Sequence, residues 1–229
     1  MEVLYPSDGP RRAVDPAALY ADPARRRPGR ARPWVLANMI ASVDGAVAVD
    51  GRSGPLGGPT DRAVFSVLRG LADVVLVGAG TVRAERYRPP RRPELRVAVV
   101  SRRLDLDWSS DLFRSGRAFV VTTTEAGPVP DHVEALRAGR DEVDLAAALG
   151  ELGRRGGEVV LCEGGPSLNG ALVVAGLLDE LCLTVAPLLV GGTSGRVAVG
   201  PAAPLQGLAV AHVATADDGY LFLRYLRSA

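Results

Sequence analysis

The sequence predicts an α/β fold with a mostly parallel, mixed sheet, helices on both faces and an antiparallel hairpin at the C-terminal end. Short β-branched runs such as Val74–Val77 lack polar alternation, which is typical of strands buried on both faces. These runs alternate with segments of helical apolar spacing, as parallel crossover units do. Asp217-Asp218-Gly219 then separates two further strands and predicts a hairpin turn of the Asp-Gly kind.

Residues 1–33 carry scattered prolines and the arginine-rich run Ala24–Arg32. A solvated linker is the main interpretation of this charge run, with a phosphate-binding arm as the alternative. We therefore expect an N-terminal extension over residues 1–33 and one domain over residues 34–229.

The first predicted strand is Trp34–Ile40, and polar residues continue it at even spacing. Asn38, Ser42 and Asp44 would point to one face if the strand ran on. They form either the polar wall of a pocket or a strand end in solvent.

The glycine-rich stretch Asp50–Pro59 predicts a binding loop or a lid. Thr60 is expected to cap the next helix, whose apolar residues repeat at helical spacing up to Leu71. Asp61 lies in its first turn, where the helix dipole favours the ionised carboxylate. Asp61 either binds a partner with paired N–H donors or simply complements the dipole.

Two glycine turns follow two buried strands. Gly78-Ala79-Gly80-Thr81 ends the strand Val74–Val77, and Glu163-Gly164-Gly165-Pro166-Ser167 ends the strand Glu158–Cys162. Turns without side chains expose backbone N–H groups at which a phosphate can bind. The pair predicts one extended, multiply charged ligand, held by the two turns at opposite ends.

The first turn matches the dinucleotide fingerprint in two glycines, with Arg83 in place of the third. Ser101, Arg102 and Arg103 stand where an unphosphorylated ribose would require an acidic residue. If a dinucleotide binds, the phosphorylated nicotinamide form is favoured.

The remaining elements follow from the same patterns. Strands are predicted at Arg96–Val100, Ala118–Thr122 and Glu180–Ala186, short helices at Val133–Arg137 and Asp144–Arg154, and the hairpin at Leu208–Val213 and Tyr220–Leu226.

Composition limits the function. The chain has 229 residues, a formal charge of +1 and no lysine, so it shows no preference for nucleic acid or an anionic membrane and cannot form a lysine Schiff base. No apolar run is long enough to span a membrane.

Cys162 and Cys182 lie in apolar runs, which favours a reduced, cytoplasmic protein. His132 and His212 lack metal-ligand or triad spacing, so no metal is expected, and a cofactor must supply the reactive atom.

Three ordered motifs resemble the reductase domain of riboflavin biosynthesis, the C-terminal half of the bacterial bifunctional deaminase-reductase. They are Asn38–Gly45, Leu68–Val82, and Glu163–Pro166 with Leu178–Leu181 and Ala186-Pro187. The similarity covers Trp34 to Arg227 and is greatest with stand-alone actinobacterial members. It implies a dihydrofolate reductase-like fold and NADPH-dependent reduction of 5-amino-6-(5-phosphoribosylamino)uracil to its ribityl counterpart.

The resemblance also implies roles for individual residues. Asp61 and Asp44 would be catalytic, and Asn38, Ser42, Arg62 and Glu163 would bind substrate, Arg62 through its phosphate. The cofactor would be NADPH, bound by Ala41, Gly78, Gly80, Thr81, Ser101, Arg102, Gly164, Gly165, Pro166, Ser167 and Leu168. The chain departs from the family at Asn38, where many bifunctional members have lysine. It also lacks the zinc deaminase half, so only the reduction is expected.

Two alternatives stay open. The position of Asp61 resembles that of the acid that binds the pterin in dihydrofolate reductases, so dihydrofolate is a second candidate substrate. A protein that binds NADP(H) without catalysis is the third possibility, although the polar set around Asp44 and Asp61 argues against it. The likeness further implies a homodimer, with apolar strands near Leu181–Leu189 exposed in the single chain.

Overall fold

The computed structural model describes residues 1–6, 13–202 and 204–228, and within them ten strands form one mixed sheet. The strands are β1 Glu2–Tyr5, β2 Trp34–Ser42, β3 Val74–Gly78, β4 Arg96–Val100, β5 Ala118–Thr122, β6 Glu134–Arg137, β7 Val159–Cys162, β8 Glu180–Ala186, β9 Leu208–Thr215 and β10 Leu221–Arg227. Their order across the sheet is β1-β9-β10-β8-β2-β7-β3-β4-β5-β6.

The sheet is parallel from β8 through β2 to β6, and antiparallel where β8, β10, β9 and β1 meet. Separate hydrophobic clusters cover its two faces, one around Leu36, Leu68 and Phe222 and the other around Val35, Leu149 and Leu172. The predicted α/β class, the mostly parallel mixed sheet and the C-terminal antiparallel hairpin are therefore confirmed.

Six α-helices accompany these strands in the described part of the chain. They are α1 Pro16–Tyr20, α2 Pro59–Leu71, α3 Ala79–Glu85, α4 Asp111–Arg114, α5 Leu145–Arg154 and α6 Pro166–Val174. Thr60 is not the N-cap of α2, because Pro59 occupies the first helical turn and Gly58 is the cap residue. Proline at the first position starts a helix one residue earlier than a threonine cap would.

The prediction of a helix at Val133–Arg137 is wrong. Residues 134–137 form β6, which pairs in parallel register with β5, Phe119 opposite Glu134 and Thr122 opposite Arg137. The guanidinium of Arg137 also bonds the carbonyls of Thr123, Ala126 and Gly127. Four residues are too few for apolar spacing to separate a strand from a helix, so the pairing with β5 decides.

The interpretation of Ala24–Arg32 as a solvated linker is wrong at Arg25 and Arg32, whereas residues 26–31 are exposed. Arg25 is only 2% exposed, and its Nε and Nη2 donate to the two oxygens of Glu180 at 2.8 and 2.6 Å. Arg32 pairs with Asp179 at 2.6 Å. The two ends of the segment are therefore anchored at the start of β8, inside the sheet, whereas β1 pairs with β9 and forms one edge.

Glu180 is the centre of a buried charge cluster. Besides Arg25, its carboxylate accepts from Arg224 Nε at 2.7 Å and from Trp34 Nε1 at 2.9 Å. Burial alone would raise the pKa of Glu180, but hydrogen bonds and charges from both arginines bring it below its ordinary value. The cluster therefore contains an ionised carboxylate that depends on its partners.

None of the helices in the described part of the chain combines the length and the apolar character needed to cross a bilayer.

Candidate active site

A cleft of about 1180 Å³ opens at the carboxyl ends of the parallel strands. Ligand sites in α/β sheets form at this edge, and single small-molecule pockets measure roughly 300–1,000 Å³. The volume is therefore large enough for a cofactor and a substrate together. The predicted site residues that line it are Asn38, Asp61, Arg62, Gly78, Gly80, Thr81, Ser101, Arg102, Glu163, Gly165, Pro166, Ser167 and Leu168.

The two glycine turns form one structure within this cleft. β3 and β7 are neighbours, and the backbone N–H of Gly78 donates to the carbonyl of Gly164 at 2.8 Å. A Cβ atom on Gly165 would lie 2.7 Å from Thr81 Oγ1. The expectation that the turns hold opposite ends of a ligand is therefore corrected, because the two turns are in contact with each other.

This joint surface is suited to an anionic group. α6 begins directly after Gly165, and its first turn has proline at the start and no acidic side chain. The helix dipole thus favours an anion there, and the absent side chains leave room for it. The two turns leave a space that a Cβ atom on Gly165 would occupy.

Basic groups surround the end of β4. Ser101 is 5% exposed, and its Oγ accepts from the backbone N–H of Leu104 at 3.0 Å, which leaves the hydroxyl proton free to donate. Arg102 pairs with Glu142 at 2.6 Å, and Arg103 and Arg83 line the same part of the cleft. A hydroxyl with guanidinium groups suits a ribose phosphate.

Asp61 is the half-buried carboxyl of the cleft. It lies in the first turn of α2, and burial raises its pKa, while a hydrogen bond from Thr184 and the charge of Arg62 oppose the rise. The expected stabilisation of the ionised form by the helix dipole is thus outweighed. A Cβ atom on Gly57 would lie 3.0 Å from Asp61 Oδ2, so the glycine-rich loop passes close to this carboxyl at Gly57.

Asp44 is placed differently. β2 ends at Ser42, so Asp44 lies in the following turn and does not extend the polar face of the strand. The hydroxyl of Ser42 and the N–H groups of Gly191 and Val190 donate to its carboxylate and lower its pKa to about 2. An ionised, exposed carboxylate with these partners fastens two loops together.

Four predicted site residues lie outside the cleft lining. Ala41 and Ser42 are buried at the end of β2, where Ser42 Oγ is engaged by Asp44 and by the N–H of Ala46. Gly164 is buried beneath the joined turns, and Asp44 is in its loop. Backbone geometry after the strand end places them there, which sequence spacing alone does not reveal.

Glu163 has partners that the sequence did not indicate. Arg69 Nε and Nη2 donate to its two oxygens at 2.7 and 2.8 Å, and the hydroxyl of Tyr87 donates to Oε2. Neither Arg69 nor Tyr87 is among the predicted site residues, because contacts between residues 18 to 94 positions apart give no local signal.

No cluster of three or more His, Cys, Asp or Glu side chains suited to a metal occurs among the residues that the structure describes.

Substituting Gly165 by alanine tests the joined turns. The new Cβ would lie 2.7 Å from Thr81 Oγ1, so Thr81 or the turn must shift. We expect a weaker NADPH affinity, by about tenfold or roughly 1.4 kcal/mol, measured by fluorescence titration. Gly150→Ala in α5, where a Cβ meets nothing within 4 Å, is the matched control. Unchanged affinity in Gly165→Ala would argue against a nucleotide at this turn.

The model of the RibD C-terminal domain matches residues 33–222 of the chain. The 2,5-diamino-6-ribosylamino-4(3H)-pyrimidinone 5′-phosphate reductase of Methanothermobacter thermautotrophicus is 31% identical over 186 residues, which are 73% of this chain and 84% of that protein.

Solved structures agree with this match. A pyrimidine reductase-like protein from Corynebacterium diphtheriae superposes with a TM-score of 0.76 and 26% identity, over 86% of this chain and 92% of that one. A dihydrofolate reductase from Enterococcus faecalis, complexed with NADP(H), superposes at 0.55 with 15% identity, over 86% and 97% of the two chains. The second likeness concerns the fold alone.

Proposed function

The chain belongs to the RibD C-terminal domain family, and from this membership we propose that it is an NADPH-dependent reductase of ribosylamino-pyrimidine 5′-phosphates. As a member of a family of named reductases it is an oxidoreductase. The observation that carries the finer proposal is the pair of joined, side-chain-free turns beside a half-buried carboxyl. The turns fit a dinucleotide, and the carboxyl provides acid chemistry in the same cleft.

The cofactor proposal follows from the charges along the cleft. The turns at Gly78 and Gly165 with the start of α6 would hold the diphosphate, and Ser101 with Arg102 would hold the 2′-phosphate. When bound, a nicotinamide dinucleotide supplies the hydride that reduces C1 of the sugar.

The protein residues contribute orientation and a proton. Opening the sugar breaks the bond from C1 to the ring oxygen, and that oxygen must gain a proton. Asp61, whose pKa burial raises, holds a proton closer to neutral pH than an ordinary aspartate does and would donate it. Arg62, exposed beside Asp61, would bind the substrate phosphate, while Asn38 and Glu163 would contact the pyrimidine or the sugar.

Asp44 and Ser42 have a different part in this proposal. Their mutual bond and the bonds from Val190 and Gly191 hold the loops beside the cleft. We therefore propose that they shape the site without touching the substrate. Both cysteines are free and buried, as the expected reducing cytoplasm would allow.

Dihydrofolate is the second candidate substrate, and the position of Asp61 favours it. A carboxylate at the start of α2, near Thr184, could accept from the paired N–H donors of a pterin. Oxidation of NADPH at 340 nm decides between the candidates with three substrates: the phosphoribosylamino-uracil, its 2,5-diamino-pyrimidinone counterpart and dihydrofolate. Turnover of either pyrimidine supports the proposal, whereas turnover of dihydrofolate alone supports the second candidate. Tight NADPH binding without any turnover would leave a non-catalytic binding protein.

We also propose that two copies pair through the antiparallel part of the sheet. Leu223 faces Leu183 on β8 and Val213 on β9, and these side chains belong to neither hydrophobic cluster. Leu221 and Leu189 are 37% and 82% exposed in the single chain. Apolar surface of this kind marks an interface. Light scattering of the purified chain should give the mass of a dimer, and the mass of one chain would refute the pairing.

A further inference from the structure

Arg69, Tyr87 and Glu163 form a closed trio of hydrogen bonds at the wall of the cleft. Arg69 donates to both oxygens of Glu163, Tyr87 donates to Oε2, and Arg69 Nη2 donates to the Tyr87 hydroxyl at 2.6 Å. The Arg69 guanidinium also lies 4.4 Å from the centre of the Phe65 ring and 5.4 Å from that of Tyr87. The trio connects α2, the segment after α3 and the turn after β7.

The surroundings keep both Arg69 and Tyr87 protonated. Burial and the charge of Glu163 raise the pKa of Tyr87 well above its ordinary value, so the phenol keeps its proton and donates it. Burial alone would lower the pKa of Arg69, but its bonds to Glu163 raise it, so the guanidinium stays charged. Every hydrogen bond in the trio therefore has one direction.

Counting lone pairs shows what Glu163 can still accept. A carboxylate offers about four acceptor positions, two on each oxygen. Oε2 receives both Arg69 and Tyr87, whereas Oε1 receives Arg69 alone. Among the contacts of the described residues, one acceptor position remains on Oε1. Glu163 lines the cleft although its side chain is only 5% exposed.

Arg69 of the trio lies on the same face of α2 as Asp61. Asp61, Phe65 and Arg69 are spaced by four residues along α2 and therefore lie on one face of the helix. Eight residues of helix span about 12 Å. Asp61 and Glu163 thus stand at two ends of the same wall, and Glu163 directly precedes the Gly164-Gly165 turn.

We propose that Arg69 and Tyr87 are positioning residues that hold Glu163 so that Oε1 accepts one hydrogen bond from an N–H or O–H group of the substrate. The inference rests on the proposed function, because it names how that substrate is bound. If Glu163 only stabilised the packing of α2, its ion pair with Arg69 would be sufficient. The hydroxyl of Tyr87, which occupies the second acceptor position on Oε2, would then not be needed. Substrates with an acceptor at this point are excluded by repulsion from the carboxylate.

The test is a double-mutant cycle on the full chain with NADPH and whichever pyrimidine phosphate the wild type reduces. Tyr87→Phe keeps the ring against Arg69 and removes only the hydroxyl. We expect KM for the pyrimidine to rise about tenfold, with kcat changed less than threefold and the Kd of NADPH less than twofold. Glu163→Gln should have a similar or larger effect on KM. Arg69→Lys keeps the charge but loses the bidentate contact with Glu163. Its KM for the pyrimidine should lie between the values for Tyr87→Phe and Arg69→Gln.

The cycle separates positioning from a structural role. If Tyr87 acts through Glu163, Tyr87→Phe adds no further loss in the Glu163→Gln background. Independent, multiplying losses would overturn the inference, as would a lowered melting temperature without any change in KM. Tyr225→Phe, the same change on β10 away from the cleft, is the control and should leave KM unaltered.

Failure of the proposed function gives a different result. If the wild type reduces neither pyrimidine, Tyr87→Phe, Glu163→Gln and the double variant are compared by calorimetry for binding of the ribitylamino-uracil phosphate with NADP⁺ present. Coupled losses of affinity for this phosphate would support the positioning of Glu163 by Arg69 and Tyr87, although the proposed reduction would be refuted. Absence of binding to the wild type would overturn both.

Discussion

Asp61→Asn should lower kcat by about 10²- to 10³-fold while the Kd of NADPH changes less than twofold. Asparagine keeps the size of the side chain and the bond to Thr184 but has no acidic proton to donate, and general acids contribute factors of this size. Steady-state kinetics and a fluorescence titration of NADPH measure the two quantities. Equal losses in turnover and NADPH affinity would contradict the assignment.

The pH dependence of the wild type follows from the same carboxyl. A raised pKa means that the protonated form persists to higher pH than in an ordinary aspartate. Turnover that needs this form is present below the pKa and is lost as the pH rises through it. Asp61→Asn should lack this limb of the profile. Asp111→Asn, which changes the acidic residue in the first turn of α4, is a matched control and should keep it.

Arg25→Met should lower the free energy of unfolding by about 3 kcal/mol or more. The variant leaves Glu180, which is fully buried, with Arg224 as its remaining cation, and breaking a buried ion pair costs roughly 3–5 kcal/mol. Urea denaturation at neutral pH measures the change. A loss below about 1 kcal/mol would show that Arg224 and Trp34 suffice for Glu180.

Arg26→Met is the matched control, because the neighbouring arginine pairs with Asp73 and Glu158 while 44% exposed. Exposed pairs contribute about 0–1 kcal/mol, so the expected loss is small.

The pKa of Glu180 also sets the direction in which stability changes with pH. Because the folded state lowers the pKa of Glu180 from 4.5, its contribution is present above pH 4.5 and lost as the pH falls through the folded value. Arg25→Met should weaken this dependence on acid.

Local patterns in the sequence were sufficient for most of the sheet. Unbroken apolar runs located β3, β4, β5 and β7, because strands covered on both faces need no polar alternation. β6 was missed because its strand character comes from pairing with β5 and not from its own four residues. Pairing across a sheet is a long-range property.

Long-range pairing also explains what was missed at the site and at the N-terminal end. Arg25 is 155 residues from Glu180, and Arg69 is 94 residues from Glu163. An arginine in a charged run resembles a solvated one until a buried carboxylate is placed beside it. The glycine turns were found from local composition, whereas their contact through Gly78 and Gly164 depends on β3 and β7 being neighbours.

A crystal structure of the chain with NADP⁺ tests the central claim most directly, since the joined glycine turns are proposed to hold one dinucleotide. We predict diphosphate density between the Gly78–Thr81 turn and the start of α6 at Gly165–Ser167, with the 2′-phosphate beside Ser101 and Arg102. Density for NADP⁺ that leaves either turn free of contact would contradict the account.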